Sequence, residues 1–130
     1  MIQRVQTLFL LFSILLNIVL MFYSPIFKLE NTEFVILKDL EYPSMFIILS
    51  CLFSIFAVFR FKNRLLQLKL VFLSRMSIVI SFSLFLLDNS EDYKLYFGSF
   101  LLILPYFMLF ISAYFIKKDQ ELIKSVDRIR

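Results

Sequence analysis

Four long apolar stretches alternate with short polar connections along this chain. They run Val5–Tyr23, Tyr42–Phe59, Leu70–Leu87 and Leu95–Ile116. Tyrosines and the lone Cys51 aside, their single ionisable side chain is Arg75. Each is close to the roughly 20 residues that, at about 1.5 Å rise each, cross a hydrocarbon core of about 30 Å. The runs are too long and too uniformly apolar for barrel strands, which are short and alternate in polarity. The pattern predicts an all-α membrane protein. Its four transmembrane helices should form an antiparallel bundle within one domain spanning residues 1–130, with 117–130 as an amphipathic tail.

The connections fill in the picture. Pro25 should stop the first helix. Between it and Glu41, Asn31-Thr32 suits the turn of a short hairpin, and a segment lying on the membrane face is the alternative. Pro43 fits an early helical position. The link Phe59–Lys69 is short and can be partly helical, so spans two and three must be antiparallel neighbours. Asp88-Asn89-Ser90 reads as a turn, with Glu91 and Asp92 placed to favour the start of span four. Pro105 should kink that span. Beyond Ile116, residues Leu122, Ile123, Val126 and Ile129 recur at helical spacing on one face of a basic tail. Such a tail can lie in the headgroup layer, or extend span four and dock on a partner.

Composition agrees. The chain has 130 residues, 61% of them hydrophobic, with eighteen Phe and one Gly, and mean hydropathy is +0.86. A soluble domain would be nearer about 45–50% apolar. Eleven of the fourteen basic residues fall on one side of the threading: Arg4, Arg60, Lys62, Arg64, Lys69, Arg75, Lys117, Lys118, Lys124, Arg128 and Arg130. Lys and Arg in short loops mark the cytoplasmic side, so both termini should be cytoplasmic. Tyr23, Tyr42, Tyr93 and Tyr96 then fall at outer span ends and Tyr114 near an inner one, where aromatic belts form. The first span lacks a small-residue cleavage site and exceeds a signal-peptide core, which points to a retained anchor. Ile48-Leu49-Ser50-Cys51 only loosely suggests a lipoprotein box, and it lies in the middle of a span. A small packing residue is the better reading of Cys51.

Several chemistries have no residues to carry them. There is no His, hence no His-ligated haem or metal and no His base. One Cys cannot form an intrachain pair. No Asp or Glu lies within the four apolar stretches, although small multidrug exporters depend on such a carboxylate. One glycine cannot build a phosphate-cradling loop. No catalytic, cofactor or metal site is therefore expected. Arg75 lies six residues past Lys69, about 9 Å along a helix, and can snorkel, bond within the protein, or bind a lipid phosphate or partner carboxylate. Asn17 should bond across helices. Ser50 and Ser54, like Ser77 and Ser81, repeat at four-residue spacing, and close packing of spans two and three through these faces is predicted.

Three segments carry a family resemblance: Met1–Thr7, Phe61–Lys69 and Ile116–Arg130. Together they resemble an uncharacterised four-helix inner-membrane family of Bacteroidota, catalogued as a domain of unknown function. The resemblance covers the full length and implies a multi-pass protein of the bacterial inner (cytoplasmic) membrane. It implies no activity. All three segments lie on the expected cytoplasmic side, where Arg4, Arg60, Lys62, Asn63, Arg64, Lys69, Arg75, Lys117, Lys118, Lys124, Arg128 and Arg130 offer a donor-rich face. That face suits membrane-lipid headgroups, an acidic protein or, by phosphate contacts, ribosomal RNA. Other nucleic-acid partners are not expected. The leading expectation is a non-catalytic accessory or scaffolding subunit with a protein partner in the inner membrane. The alternative is a small oligomeric transporter or channel using Asn17, Arg75 and the serines.

Overall fold

The computed structural model describes residues 2–29, 34–87, 93–95 and 97–129. Helix α1 (Ile2–Tyr23) leads into strands β1 (Pro25–Leu29) and β2 (Phe34–Ile36) and a short 3-10 turn at Leu37–Asp39. Helices α2 (Glu41–Phe59) and α3 (Arg64–Leu87) follow, then β3 (Tyr93–Leu95), α4 (Phe97–Leu101) and α5 (Ile103–Ile129). Among the described residues, four helical stretches are long and apolar enough to cross a membrane: Val5–Tyr23, Glu41–Phe59, Arg64–Leu87 and Phe97–Val126. The four-span expectation therefore holds.

The helices form a ring in which α1 and α3 each touch both α2 and α5. Their buried positions share one period. In α1 they are Gln6, Leu10, Ser13, Asn17 and Leu20, and in α3 Gln67, Val71, Ser74, Ile78, Ser81 and Phe85. Helix α2 buries Ile47, Ser50, Ser54 and Ala57, and α5 buries Pro105, Leu109, Ser112 and Ile116. Alternating steps of three and four give the 3.5-residue repeat of left-handed helix packing. Among the described residues thirteen polar side chains are buried, about as many as apolar ones, while Leu, Ile, Val and Phe cover the outside. Lipid tails are as apolar as leucine, so close packing and interhelical hydrogen bonds, rather than apolar burial, must hold the helices together.

The serine seam shows how. Helix α2 packs most extensively on α3. Ser74 Oγ donates to the Ser50 carbonyl at 3.0 Å and lies 2.8 Å from the hydroxyls of both Ser50 and Ser54. Ser74 has one proton, so both neighbours must donate to it. Ser81 Oγ donates to the Pro43 carbonyl at 3.0 Å. Ser50, Ser54 and Ser81 thus lie at the contact between α2 and α3. Ser77 is buried but donates to Leu73 of its own helix, and Ser74, not foreseen, is the centre. Ser74→Ala should cost about 1 kcal/mol, in the range of measured intramembrane hydrogen bonds. Detergent-titrated unfolding of the purified protein checks this, and an unchanged midpoint would show that the triad contributes no net stability.

A small sheet joins the connections of this otherwise helical fold. Strands β1 and β2 pair antiparallel with Lys28 opposite Phe34, so the hairpin reading holds, although residues 30–33 at its turn lie outside the described residues. Strand β3 joins the other edge of β1, with Lys28 opposite Lys94, giving the order β2-β1-β3. Ile26 and Leu37 are buried beneath it. The predicted Asp88–Ser90 turn and the acids Glu91 and Asp92 also lie outside the described residues. Span four begins at Phe97 rather than Leu95, because Tyr93–Leu95 is strand.

Span four is also broken. Pro105 has no N–H for the Leu101 carbonyl, and its ring crowds that same carbonyl one turn back. The helix opens there. Leu102 forms a turn, its N–H reaching the Ser99 carbonyl at 3.4 Å, and α5 starts at Ile103. Nothing interrupts α5 afterwards, so the predicted tail is the continuation of span four.

Candidate functional site

The end of the bundle opposite the sheet carries most of the basic residues. Three elements build it. The link between α2 and α3 is a tight turn, with Asn63 N–H bonded to the Arg60 carbonyl at 3.0 Å. Asn63 then caps α3, its Oδ1 accepting from Leu66 N–H at 3.3 Å, as Asn does at helix starts. This is why α3 begins at Arg64, six residues before the apolar run. The third element is the far end of α5.

Arg64 and Asp119 lock these elements together. Arg64 Nη2 lies 2.9 Å from Asp119 Oδ2, and each side chain is 14% exposed. Arg64 Nη1 also donates to the Asp119 carbonyl at 3.2 Å. From α1, Gln6 Nε2 donates to the Phe115 carbonyl at 3.2 Å and to Asp119 Oδ2 at 3.4 Å. Ser112 Oγ donates back to the Gln6 carbonyl at 3.4 Å, and Phe9 stacks on Phe115. Helices α1, α3 and α5 therefore meet at one carboxylate.

Beyond this clasp α5 runs free. Ile116 is buried, whereas Leu122, Ile123 and Val126 are 47%, 45% and 59% exposed. The residues from Lys117 to Ile129 extend about 20 Å at helical rise. A cleft of about 570 Å³ separates this helix from the α2–α3 link, with Phe61, Lys62 and Leu65 on one wall and Gln120 and Ile123 on the other. Its lining combines apolar Phe61, Leu65 and Ile123 with the cations Lys62 and Arg64.

The sequence-predicted face thus divides. Arg60, Lys62, Lys69, Lys117, Lys118, Lys124 and Arg128 are exposed and compose it. Arg64 instead commits its guanidinium to Asp119, and Asn63, though exposed, uses Oδ1 to cap α3. The side chains of Arg4 and Arg130 lie outside the described residues. Asp119 and Gln6 were missed. The spacing of Gln6 with Leu10, Ser13 and Asn17 is the signal that marks it as inward-facing.

The intramembrane candidates sit elsewhere. Asn17 of α1 is buried against the Cys51 thiol of α2, an interhelical polar contact, while Ser13 Oγ one turn away is buried without a hydrogen-bond partner. Arg75 Nη2 donates to Tyr106 Oη at 3.0 Å, and its guanidinium carbon lies 5.0 Å from both the Tyr106 and Phe110 ring centroids.

This architecture is that of a multi-pass helical membrane protein. Residues 2–129 match the family model of a domain of unknown function, DUF4293, and the chain belongs to that family. No curated protein and no solved structure matches it.

Proposed function

We propose that this protein is a non-catalytic accessory or scaffolding subunit of a larger assembly in the bacterial inner membrane, with both termini cytoplasmic and its basic end as the docking surface. One observation carries the reading. Helix α5 leaves the bundle as a continuous helix with Leu122, Ile123 and Val126 exposed, and Ile123 shares a cleft with Phe61 and Leu65. About 20 residues from Phe97 cross the hydrocarbon and end near Ile116, so an aliphatic stripe about 9–15 Å further along the helix axis would lie past its edge, where lipid tails do not cover it. Clustered exposed apolar side chains inside a polar rim are the usual mark of a protein interface. The surrounding Lys and Arg favour an acidic partner. The Arg64–Asp119 clasp fixes the angle of the stripe, so less conformational freedom is lost on docking.

The test is gentle-detergent purification of a tagged protein from its native membrane after cross-linking. A stoichiometric partner should be recovered, and Leu122→Glu combined with Val126→Glu should reduce it at least tenfold without changing membrane insertion. Recovery of the parent protein only as a monomer or homo-oligomer overturns the proposal. Reporter fusions at both ends check the orientation and should report cytoplasm.

A further inference from the structure

A second feature lies inside the membrane, on the lateral face between α3 and α5. Arg75 is about 9 Å past Lys69 along α3. On α5 the rings that hold it, Tyr106 and Phe110, stand about 9–15 Å short of Ile116. Both helices thus place the guanidinium within the hydrocarbon. The side chain has not risen to the headgroup layer; it is clamped against α5 instead.

Among the described residues no carboxylate pairs with it. The aromatic rings offset its charge through their π faces but do not accept its N–H groups conventionally. A guanidinium has five donors in a planar fork. Tyr106 Oη takes one, and Nε–H is buried without a partner. The residue is only partly buried, and since Nε is enclosed an incoming group would meet the terminal Nη atoms of the fork. A bidentate carboxylate is the group that fits such a fork.

An apolar groove of about 190 Å³ adjoins the site, lined by Ile78, Val79, Phe82, Leu102, Ile103 and Tyr106. Tyr106 therefore both bonds Arg75 and walls the groove. Leu102 and Ile103 flank the break in span four. A lipid acyl chain would fill this groove, but its phosphate would stay in the headgroup layer, about 9 Å or more from Arg75 along the helix axis. A neighbouring transmembrane helix can supply both parts at once. Its aliphatic side chains fill the groove, and an aspartate or glutamate in its apolar span meets the cation. Ionisable residues at that depth characteristically pair with one another.

We infer that Arg75 and this groove receive a partner's transmembrane helix bearing an intramembrane carboxylate. The inference rests on the accessory-subunit reading and adds a lateral contact to the docking surface at the basic end.

The test uses the full-length chain in phosphatidylcholine vesicles and a fluorescent polyleucine transmembrane helix. The probe carries one Asp about 10 Å from the interface, or Leu at the same position. By energy transfer, the Asp helix should associate at least tenfold more tightly than the Leu helix. Arg75→Gln should bring the two within twofold, and Arg75→Lys should retain part of the preference. Moving the Asp two turns towards the other interface should abolish the preference with the parent chain unaltered, so the result does not depend on a variant folding. Equal association of both probes with the parent, or a preference unchanged in Arg75→Gln, overturns the inference. So does its loss when phosphatidylglycerol is added, which would make lipid the counter-ion. If the Asp helix fails while a native partner is still recovered through the basic end, this inference alone falls. If it binds but the protein leaves its native membrane alone, the accessory reading falls.

Discussion

Gly98→Ala should destabilise the protein by about 3 kcal/mol or more, at the upper end of what overpacking does. The single added carbon has nowhere to go. A Cβ on Gly98 would overlap the Pro25 carbonyl oxygen and sit 2.8 Å from the carbonyl carbon. These atoms are backbone, so no rotamer change relieves the clash. Nor can the strand move easily. Pro25 opens β1, where it pairs with Ile36 of β2, while Phe27 to Leu29 pair with β3 on the other side. Ser24, whose hydroxyl also lies close to the added carbon, ends the α1 segment and bonds the Leu20 carbonyl at 3.3 Å. The expected result is a lower midpoint in detergent-titrated unfolding and faster proteolysis at residues 24–29. Phe100→Leu, on the exposed face of the same short helix, serves as the control and should change little. A Gly98→Ala protein as stable as the parent would show that the sheet is not seated against α4.

How much of this fold can be read in advance follows from the range of each interaction. The spans are local properties of composition, so their number and rough bounds are legible. The start of α3 is nearly so, because Asn63 is a cap residue, but hydropathy alone places the boundary at Leu70. The tail continues span four for a reason that is also in the sequence: no Gly or Pro follows Pro105. Strand β3 is different. Tyr93–Leu95 reads as the apolar onset of a helix, and only pairing with a strand more than sixty residues earlier makes it a strand. Ser74 escapes a search for serines four apart, yet it falls on the 3.5-residue repeat running from Gln67 to Phe85. That repeat becomes informative once polar residues in an apolar span are taken to face inward.

The basic end shows the sharpest limit. Arg64 counts as one topology-setting charge among many, and Asp119 as a lone acid in a basic tail. Nothing local says that two residues 55 positions apart form an ion pair. That pairing decides whether the tail is a loose surface segment or a fixed arm, and the docking surface depends on the second.

Asp119→Ala should therefore have an effect larger than a surface charge change. It removes the 2.9 Å ion pair to Arg64 and the bond from Gln6, leaving a guanidinium nearly enclosed without its carboxylate. Breaking a fully buried pair costs about 3–5 kcal/mol, and exposed pairs contribute about 0–1. With each partner 14% exposed, about 2–3 kcal/mol is expected. Arg64→Ala should cost less, because the Asp119 left behind still receives Gln6 Nε2. The double variant should be more stable than the sum of the two losses predicts, since the second truncation removes the group that the first left unpaired. Detergent-titrated unfolding of the four proteins measures the coupling. Trypsin cleavage at Lys117, Lys118 and Lys124 reports the tail directly, and it should accelerate in both single variants. Strictly additive losses with unchanged cleavage would mean that α5 holds its angle without the clasp, and that Phe9, Phe115 and the Ser112–Gln6 bond are sufficient to position the exposed stripe.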